Sequence, residues 1–401
     1  MEYRDAKKIL CDRINLIDAI EVDIEEAYDK ILSEDLISNR NVPEFNRSPL
    51  DGYCFNCEDT LSASLDNPIY FDIIEEVACG SVAKKSINKN QTIKILTGAK
   101  MPDGANCVIR YEDIEIENGK LKLCYELSEN QNVILAGEDI KKDTAFAKCG
   151  TKVDIGIVGI LAALGIKKIK VFDKIKVGFI STGSELLEVG EELSAHDGKI
   201  YNSNRYVFDG ILKKQGIDCN YYGIVEDNIE KLKNMYDKAL NENDIVISTG
   251  GVSVGDYDYV KRALNDLNLD IFIDNIEMKP GMACCFAQKN KKFVFALSGN
   301  PMSSVTTFYA VCLPAIKKMM GYKNYENEFL KVRLNNSFNK KIGKVRFLRG
   351  KLKIVDGVAT AFLNLDQGNI VIKSLIDCNI MLMVENGEEV VKGNFYNAVL
   401  I

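Results

Sequence analysis

From residue 174 onward, short apolar runs and amphipathic stretches take turns along the chain. Strand-like runs at 175–180, 219–225, 244–249 and 292–297 are interleaved with helical patterns at 203–215, 227–241, 257–267 and 303–320. Short apolar runs that alternate with helices indicate a mostly parallel sheet covered on both faces. The pattern therefore predicts an α/β domain over residues 174–321. Upstream the period changes. In "DIEEAYDKIL", Ile24, Ala27, Tyr28, Ile31 and Leu32 share one face of a helix, and Asp23 with Glu26 resembles a capping box. Residues 1–37 accordingly read as helical. From about 54 to 140 the runs are short and β-branched, with Asn118-Gly119 as a turn between two strands, which predicts a small β domain. The stretch "GTKVDIGIVGILAALGIKKIKVF" returns to helix, with Asp154 as N-cap and Gly165 near its end. After residue 322 short strands resume between Gly and Asn turns, predicting a second β domain.

Composition narrows the classes. A chain of 401 residues exceeds one ordinary core, so two to four domains are expected. Hydrophobic content of 46% with 27% charged residues is that of a soluble globular protein. A net charge of -7 offers no basic excess for nucleic acid. It leaves room for a small anionic ligand, because backbone amides supply a local positive field. The longest apolar stretch, residues 155–166, is too short to span a bilayer. The N-terminus lacks the apolar core of a signal peptide. Twelve scattered cysteines without such a signal read as free, mostly buried thiols in a reducing cytoplasm.

Candidate chemistry gathers where strands end. In an open α/β sheet, ligands bind at the carboxyl ends of the strands. Three loops leave such ends: "STGSE" at 181–185, "STGGVSVGDYD" at 248–258 and "LSGNPMSS" at 297–304. Each places glycine where a ligand can approach the backbone, and Pro301 suits the start of a helix whose N–H groups can receive an anion. Glu185, Asp256 and Asp258 follow these glycines and can hold a cation. Amides for phosphate beside carboxylates for Mg²⁺ suggest a Mg²⁺-bridged phosphoanhydride. Any one of these loops can be an ordinary strand-to-helix turn; three in one sheet, two followed by acids, weaken that reading. Neither a Walker loop nor a G-x-G-x-x-G after a strand is present, which disfavours P-loop and nicotinamide enzymes.

Other residues are less telling alone. Lys279 of "MKPG" can meet an anion or simply be solvated. Asp51-Gly52 of "NRSPLDGYC" is by default a turn. Cys54 and Cys57 have zinc or redox spacing but no second pair, and Cys284-Cys285 reads as packing. His196, the only histidine, sits in a loop, so triad or Cys-His nucleophilic catalysis has little support.

The motifs "RSPLDGY", "LTGAKMPDGANCVI", "GEDI", "ISTGSEL", "YNSNRY", "ISTGGVSVGDYDYVK", "MKPG" and "LSGNP" stand in one order along the chain. In that order they resemble the MoeA family of molybdopterin molybdenumtransferases, related to the E domain of gephyrin. The resemblance extends to "VRFLRGKL" and "DQGNIVIKSL" near the end. It implies an elongated homodimer of multidomain α/β plus β architecture. A discontinuous helical domain would take residues 1–37 and 141–173, an inserted β domain 38–140, the molybdopterin-binding α/β domain 174–321, and a C-terminal β-barrel 322–401. It also implies insertion of molybdate into adenylylated molybdopterin with Mg²⁺, releasing AMP. The site is expected where the α/β domain of one subunit faces the β domain of the other.

By the same resemblance, Glu185 and Asp258 match the acids serving the Mg²⁺ and adenylate end, and Asp51 joins them as a catalytic acid. Asp51 and Thr97 would reach in from the second subunit, and Asp139 and Asp227 match further acids. Ser181, Thr182, Gly183, Gly250, Gly251 and Ser253 belong to the substrate loops, and Lys279, Gly299, Asn300 and Pro301 to the oxyanion and phosphate wall. Arg349 matches a family arginine from the C-terminal domain. Four positions depart from common family forms. Met282 replaces the second lysine of K-P-G-K-P, Ser298 a frequent proline, Asn202 a common aspartate and Asn369 a common serine. The implied partners are an adenylyltransferase and apo-molybdoenzymes, with neither nucleic acid nor membrane. The alternatives are a molybdopterin adenylyltransferase, which shares the α/β domain, and a non-catalytic gephyrin-like scaffold.

Overall fold

The computed structural model describes residues 1–192, 198–252 and 259–401. The chain divides into two compact units, residues 1–20 with 172–401, and residues 21–171.

The larger unit is built on a six-stranded sheet. Its strand order is Cys219–Val225, Val177–Thr182, Ile245–Thr249, Lys292–Leu297, Cys284–Lys289, Asp270–Asp274. The first four strands run parallel, and they are the four expected from the apolar runs. The last two add an antiparallel edge that the pattern did not separate. Val177–Thr182 and Ile245–Thr249 are buried at every position, which is why they read as unbroken apolar runs. Ile247, Phe179 and Phe295 face one apolar core, and Ile180, Val246 and Val294 face the other. Helices Ser203–Lys214, Ile229–Glu242 and Tyr259–Asp266 cover the sheet, each starting near the position its pattern gave.

Five C-terminal strands close into a barrel. Val345–Val355 pairs with both Val358–Leu363 and Ile380–Val384, and the circuit is completed through Phe329–Leu334 and Phe395–Leu400. Val345, Phe347 and Met381 of the barrel belong to the same core as Phe308 and Ile316, so the barrel is seated on the α/β layer. A two-residue strand, Met278–Lys279, joins the barrel edge by pairing with Val345 and Arg346.

The smaller unit contains a six-stranded sheet of order Cys107–Arg110, Gly52–Phe55, Gln91–Ile95, Ile69–Val77, Lys120–Leu123, Glu115–Glu117. Asn118 and Gly119, both at positive φ, make the expected two-residue hairpin turn. The helix over Ile155–Ala163 is capped as expected, with Asp154 Oδ1 accepting from Ile157 N at 2.9 Å.

Residues 19–37 correct the helical reading. Helix is confined to Tyr3–Arg13; Ala19–Asp23 is a strand, Ile24–Glu26 a single 3-10 turn and Leu36–Ile37 a short strand. Asp23 makes no side-chain cap, and Asp29 sits at φ 66°, which breaks a helix. Leu32 N donates to Thr151 O at 3.0 Å and Asp29 N to Val153 O at 3.0 Å. Pairing with distant backbone outweighed a one-face apolar pattern of modest length.

No helix among the described residues is long and apolar enough to cross a membrane.

Candidate functional site

The strand order reverses between Val177–Thr182 and Ile245–Thr249: the chain leaves the first strand toward one edge and returns on its other side. Such a switch point opens a crevice at the carboxyl ends. Here the two strand ends are in contact, with Thr182 Oγ1 donating to Thr249 O at 3.2 Å. Gly250 turns sharply at φ +101°, and a Cβ there would lie 2.2 Å from Thr182 O. Only glycine fits that approach. Gly250 N then donates to Leu297 O at 3.0 Å, tying in the third strand. Asn204 Nδ2 donates to Gly299 O at 2.8 Å, fixing the third loop to helix Ser203–Lys214.

These loops enclose a cavity of about 840 Å³. Thr182, Gly183, Glu185, Asp227, Gly250, Gly251, Gly299, Asn300 and Pro301 all line it. The structure thus brings together nine residues chosen from three separate loops and the Asp227 turn. Glu185 curls over Gly183: a Cβ on that glycine, at φ +144°, would fall 2.4 Å from Glu185 Oε2. Asp227 is braced reciprocally, its Oδ2 accepting from Ser184 N at 3.2 Å and its own N donating to Ser184 Oγ at 3.1 Å. Two carboxylates therefore share one cavity with glycine backbone. Oxygen donors of this kind suit a hard divalent cation that takes its remaining ligands from water and phosphate. Among the described residues no group of three or more acidic, histidine or cysteine side chains converges on a metal position. Ser253, Asp256, Asp258 and His196 lie outside the described residues.

The anion-binding amides differ from the expectation at Pro301. Met302 N donates to Asn369 O at 3.0 Å and Ser303 N to Asn300 O at 3.0 Å, so the first amides of helix Pro301–Thr307 are occupied. Gly251 and Gly299 instead have no hydrogen bond from their N–H to any described residue. Their amides are left for a phosphate oxygen.

Three other expected residues stand off the cavity. Ser181 is fully buried, its Oγ accepting from Asn202 Nδ2 at 2.9 Å, so it braces the floor. Lys279 is exposed beside Arg346 in the barrel pairing. Arg349 is 1% exposed; its Nε donates to Ser374 Oγ at 2.8 Å and its Nη2 to Gly368 O at 3.0 Å. Its Nη1 is buried without a partner. Burial lowers the guanidinium's proton affinity from the ordinary arginine value.

In the smaller unit, Gly52 pairs with Ile95, which sets Asp51 against Thr97. Asp51 Oδ1 accepts from Thr97 N at 2.7 Å and from Thr97 Oγ1 at 2.8 Å, and these donors hold the carboxyl below its ordinary value. Asp139 is exposed, with its N donating to Val42 O at 3.1 Å. Cys54 and Cys57 do not converge: Cys54 belongs to one core cluster and Cys57 packs against the other.

Comparison with known proteins now bears on this arrangement. Residues 1–165 match the family described as the MoeA N-terminal region (domain I and II), and residues 178–318 a probable molybdopterin binding domain. A molybdopterin molybdenumtransferase of Staphylococcus epidermidis is 35% identical over 382 residues, 95% of this chain and 91% of that relative. The chain belongs to the MoeA family. A Staphylococcus aureus molybdopterin molybdenumtransferase is 31% identical over 385 residues, 96% of this chain and 91% of the relative. A crystal structure of the molybdopterin biosynthesis MoeA protein from Pyrococcus horikoshii matches with a TM-score of 0.85 at 33% identity, covering all of both chains. A second structure of that name matches at 0.86 and 29%, covering 100% of this chain and 98% of the other.

For a MoeA-family chain, the cavity contains residues that the sequence did not single out. Tyr201, Ile370 and Ile372 give it an apolar wall. The two isoleucines come from the barrel loop "DQGNIVIKSL", whose Asn369 reaches Met302. Only the folded contact between barrel and α/β layer shows this, although exposed isoleucines in a polar loop were a signal. Asn204 of "YNSNRY" was within a quoted motif but carried no role.

Proposed function

We propose that this protein inserts molybdenum from molybdate into adenylylated molybdopterin in a Mg²⁺-dependent reaction that releases AMP. Its family makes it a transferase of molybdenum cofactor biosynthesis that inserts molybdenum. The finer reading is carried by one observation: Gly251 and Gly299, whose amides have no hydrogen bond to any described residue, line the same cavity as Glu185 and Asp227. Amides favour phosphate oxygens, and carboxylates would oppose them without a cation between. Glu185 and Asp227 would hold Mg²⁺, with Asp258 as a further acid. When bound, the ion would neutralise phosphate charge and polarise the phosphoanhydride.

The chain's own groups position and stabilise. Gly250 and Gly251 let the backbone approach the anion, and Asn204 and Ser184 brace the loops that carry the donors. Tyr201, Ile370 and Ile372 offer apolar surface to a planar ring and exclude water around it. Catalysis on this reading is positioning plus electrostatics, without a covalent protein intermediate. We further propose a cytoplasmic homodimer with four domains, bounded as the resemblance implies. The second subunit would contribute Asp51, Thr97 and Asp139; Lys279 would serve the oxyanion, and Arg349 would act on it through the loop that it holds.

The test is AMP release from adenylylated molybdopterin by the purified protein with Mg²⁺, with and without molybdate. Oxyanion-dependent release that is lost in Glu185→Gln supports the reading. ATP consumption would favour an adenylyltransferase, and binding without release a scaffold; either would overturn it.

A further inference from the structure

Glu185 enters the cavity on a ribbon of two very short strands. Leu186–Leu187 runs parallel to Ile200–Tyr201, with Ile200 N donating to Glu185 O at 2.8 Å and Asn202 N to Leu187 O at 2.9 Å. Glu185, Ile200, Tyr201 and Ser203 line the cavity, so this pairing supplies both an acid and part of the apolar wall. A two-stranded ribbon is marginal on its own in water. Here side-chain bonds tie it to the sheet.

Asn202 is 1% exposed, and its carboxamide is fully committed. Its Oδ1 accepts from Arg205 N at 3.3 Å, capping helix Ser203–Lys214. Its Nδ2 donates to Ser181 Oγ at 2.9 Å and to Tyr221 OH at 3.0 Å. Tyr221 OH in turn donates to Glu188 Oε1. Burial first, and that bond second, raise the tyrosine above its ordinary pKa, so it stays protonated at neutral pH. Glu188 Oε2 lies 3.5 Å from Arg205 Nη1, and the Arg205 guanidinium lies over the Tyr221 ring, 4.1 Å from Cζ to centroid. Donation therefore runs one way, from Asn202 through Tyr221 to the Glu188 carboxylate. It links Glu188, three residues past Glu185, to the end of the first sheet strand at Ser181.

The departure at position 202 acquires a reason. An aspartate there has no N–H to give and would compete with Glu188 for the tyrosine's single proton. Asn202 and Glu188 are thus matched: the carboxylate of this network stands on the ribbon, where its bond to Tyr221 is charge-assisted.

We propose that Glu188 is a positioning residue: through Tyr221 and Asn202 it fixes the ribbon that presents Glu185, and so sets how tightly Glu185 holds a divalent cation. The cation rests on the insertion reading; the anchor rests on the bonds above.

The test is binding of Mn²⁺, as a surrogate for Mg²⁺, to the full-length protein with saturating AMP, followed by the EPR signal of the free ion. Hydrogen exchange at Ile200 and Asn202 is read on the same samples. Tyr221→Phe removes the link and keeps the ring beneath Arg205. It should weaken Mn²⁺ binding about tenfold, the scale of one hydrogen bond to a charged group, and speed exchange at both amides. Glu188→Gln, which can still accept from Tyr221, should lose less. Asn202→Asp should resemble Tyr221→Phe. Asn202→Asp with Glu188→Gln should recover, because a glutamine amide can donate to Tyr221 and the chain then runs in reverse. Thermal unfolding checks that each variant is folded; if Asn202→Asp is not, Tyr221→Phe carries the test. Faster exchange with wild-type Mn²⁺ affinity would reduce the network to a structural contact and overturn the proposal, as would an absence of recovery in a folded double variant. Glu185→Gln separates the two levels. Weaker Mn²⁺ binding in that variant, with wild-type affinity in Tyr221→Phe, leaves the insertion reading standing and removes the positioning role. Unchanged Mn²⁺ binding in Glu185→Gln would remove the cation assignment itself, and the positioning role with it.

Discussion

The Asp51 carboxylate is held twice by one residue: its Oδ1 lies 2.7 Å from Thr97 N and 2.8 Å from Thr97 Oγ1. The backbone donor is the larger cause of its lowered pKa, the hydroxyl comes next, and Lys94 adds a little. A group whose folded pKa is depressed keeps its contact above the unfolded value and loses it as pH falls through the folded one. The Asp51–Thr97 contact should therefore persist below pH 3.8, the ordinary value for this carboxyl. Carbon NMR titration of the Asp51 carboxyl should give a midpoint under 3.8, and Thr97→Val, which keeps the backbone donor, should raise it only part of the way. An unchanged midpoint in that variant would show that the hydroxyl does not act on the acid.

Gly250 offers a test of the crevice itself. A Cβ there meets Thr182 O at 2.2 Å and must adopt φ +101°, so backbone at the sheet's switch point has to move. Gly250→Ala should cost about 2–4 kcal/mol in urea unfolding and abolish AMP release. Gly159, in helix Ile155–Ala163, has nothing within 4 Å of a built Cβ. Gly159→Ala should be neutral or stabilising by up to about 1 kcal/mol. Equal effects at the two glycines would remove the steric argument.

The contrast between such positions explains what could be read from the chain. Val177–Thr182 and Ile245–Thr249 are buried on both faces, so their runs are apolar without interruption and local sequence was sufficient. Their glycines and acids follow immediately, which made Gly183, Glu185, Gly250 and Gly251 legible as one end of a sheet. Residues 19–37 were misread because Asp29 at φ 66° and pairing to residues 151–153 leave little local trace. The apolar wall was hidden for a related reason: Ile370 and Ile372 line the cavity from a barrel loop, where Asn369 O accepts from the distant Met302 N. The occupied amides after Pro301 illustrate the same limit, since a helix start looks free until its distant acceptor is known.

The buried cysteines make a chemical prediction. Cys54 and Cys107 are buried, and burial pushes both thiols up to about 12. At pH 8 both should remain protonated and shielded, and the thiolate is the reactive form. Cys79 and Cys149 are exposed. Brief iodoacetamide treatment of the native protein followed by peptide mass spectrometry should label Cys79 and Cys149, and reach Cys54 and Cys107 only in denaturant. Equal native labelling would mean that the β unit opens readily.

Arg349 bears on the cavity through the loop it holds. Besides its bonds to Ser374 and Gly368, its backbone N donates to Gln367 Oε1 at 3.0 Å and its O accepts from Gln367 Nε2 at 2.8 Å. The segment so gripped carries Ile370 and Ile372 into the cavity wall. Lysine at this position would keep the charge but lack the forked donors that reach two acceptors at once. Arg349→Lys should therefore cost about 2–4 kcal/mol, as one or more buried acceptors lose their donor. Hydrogen exchange should rise across residues 368–374, and AMP release should fall. Exchange unchanged with AMP release lost would point instead to direct anion contact by the unpartnered Nη1, because the wall would then still be in place.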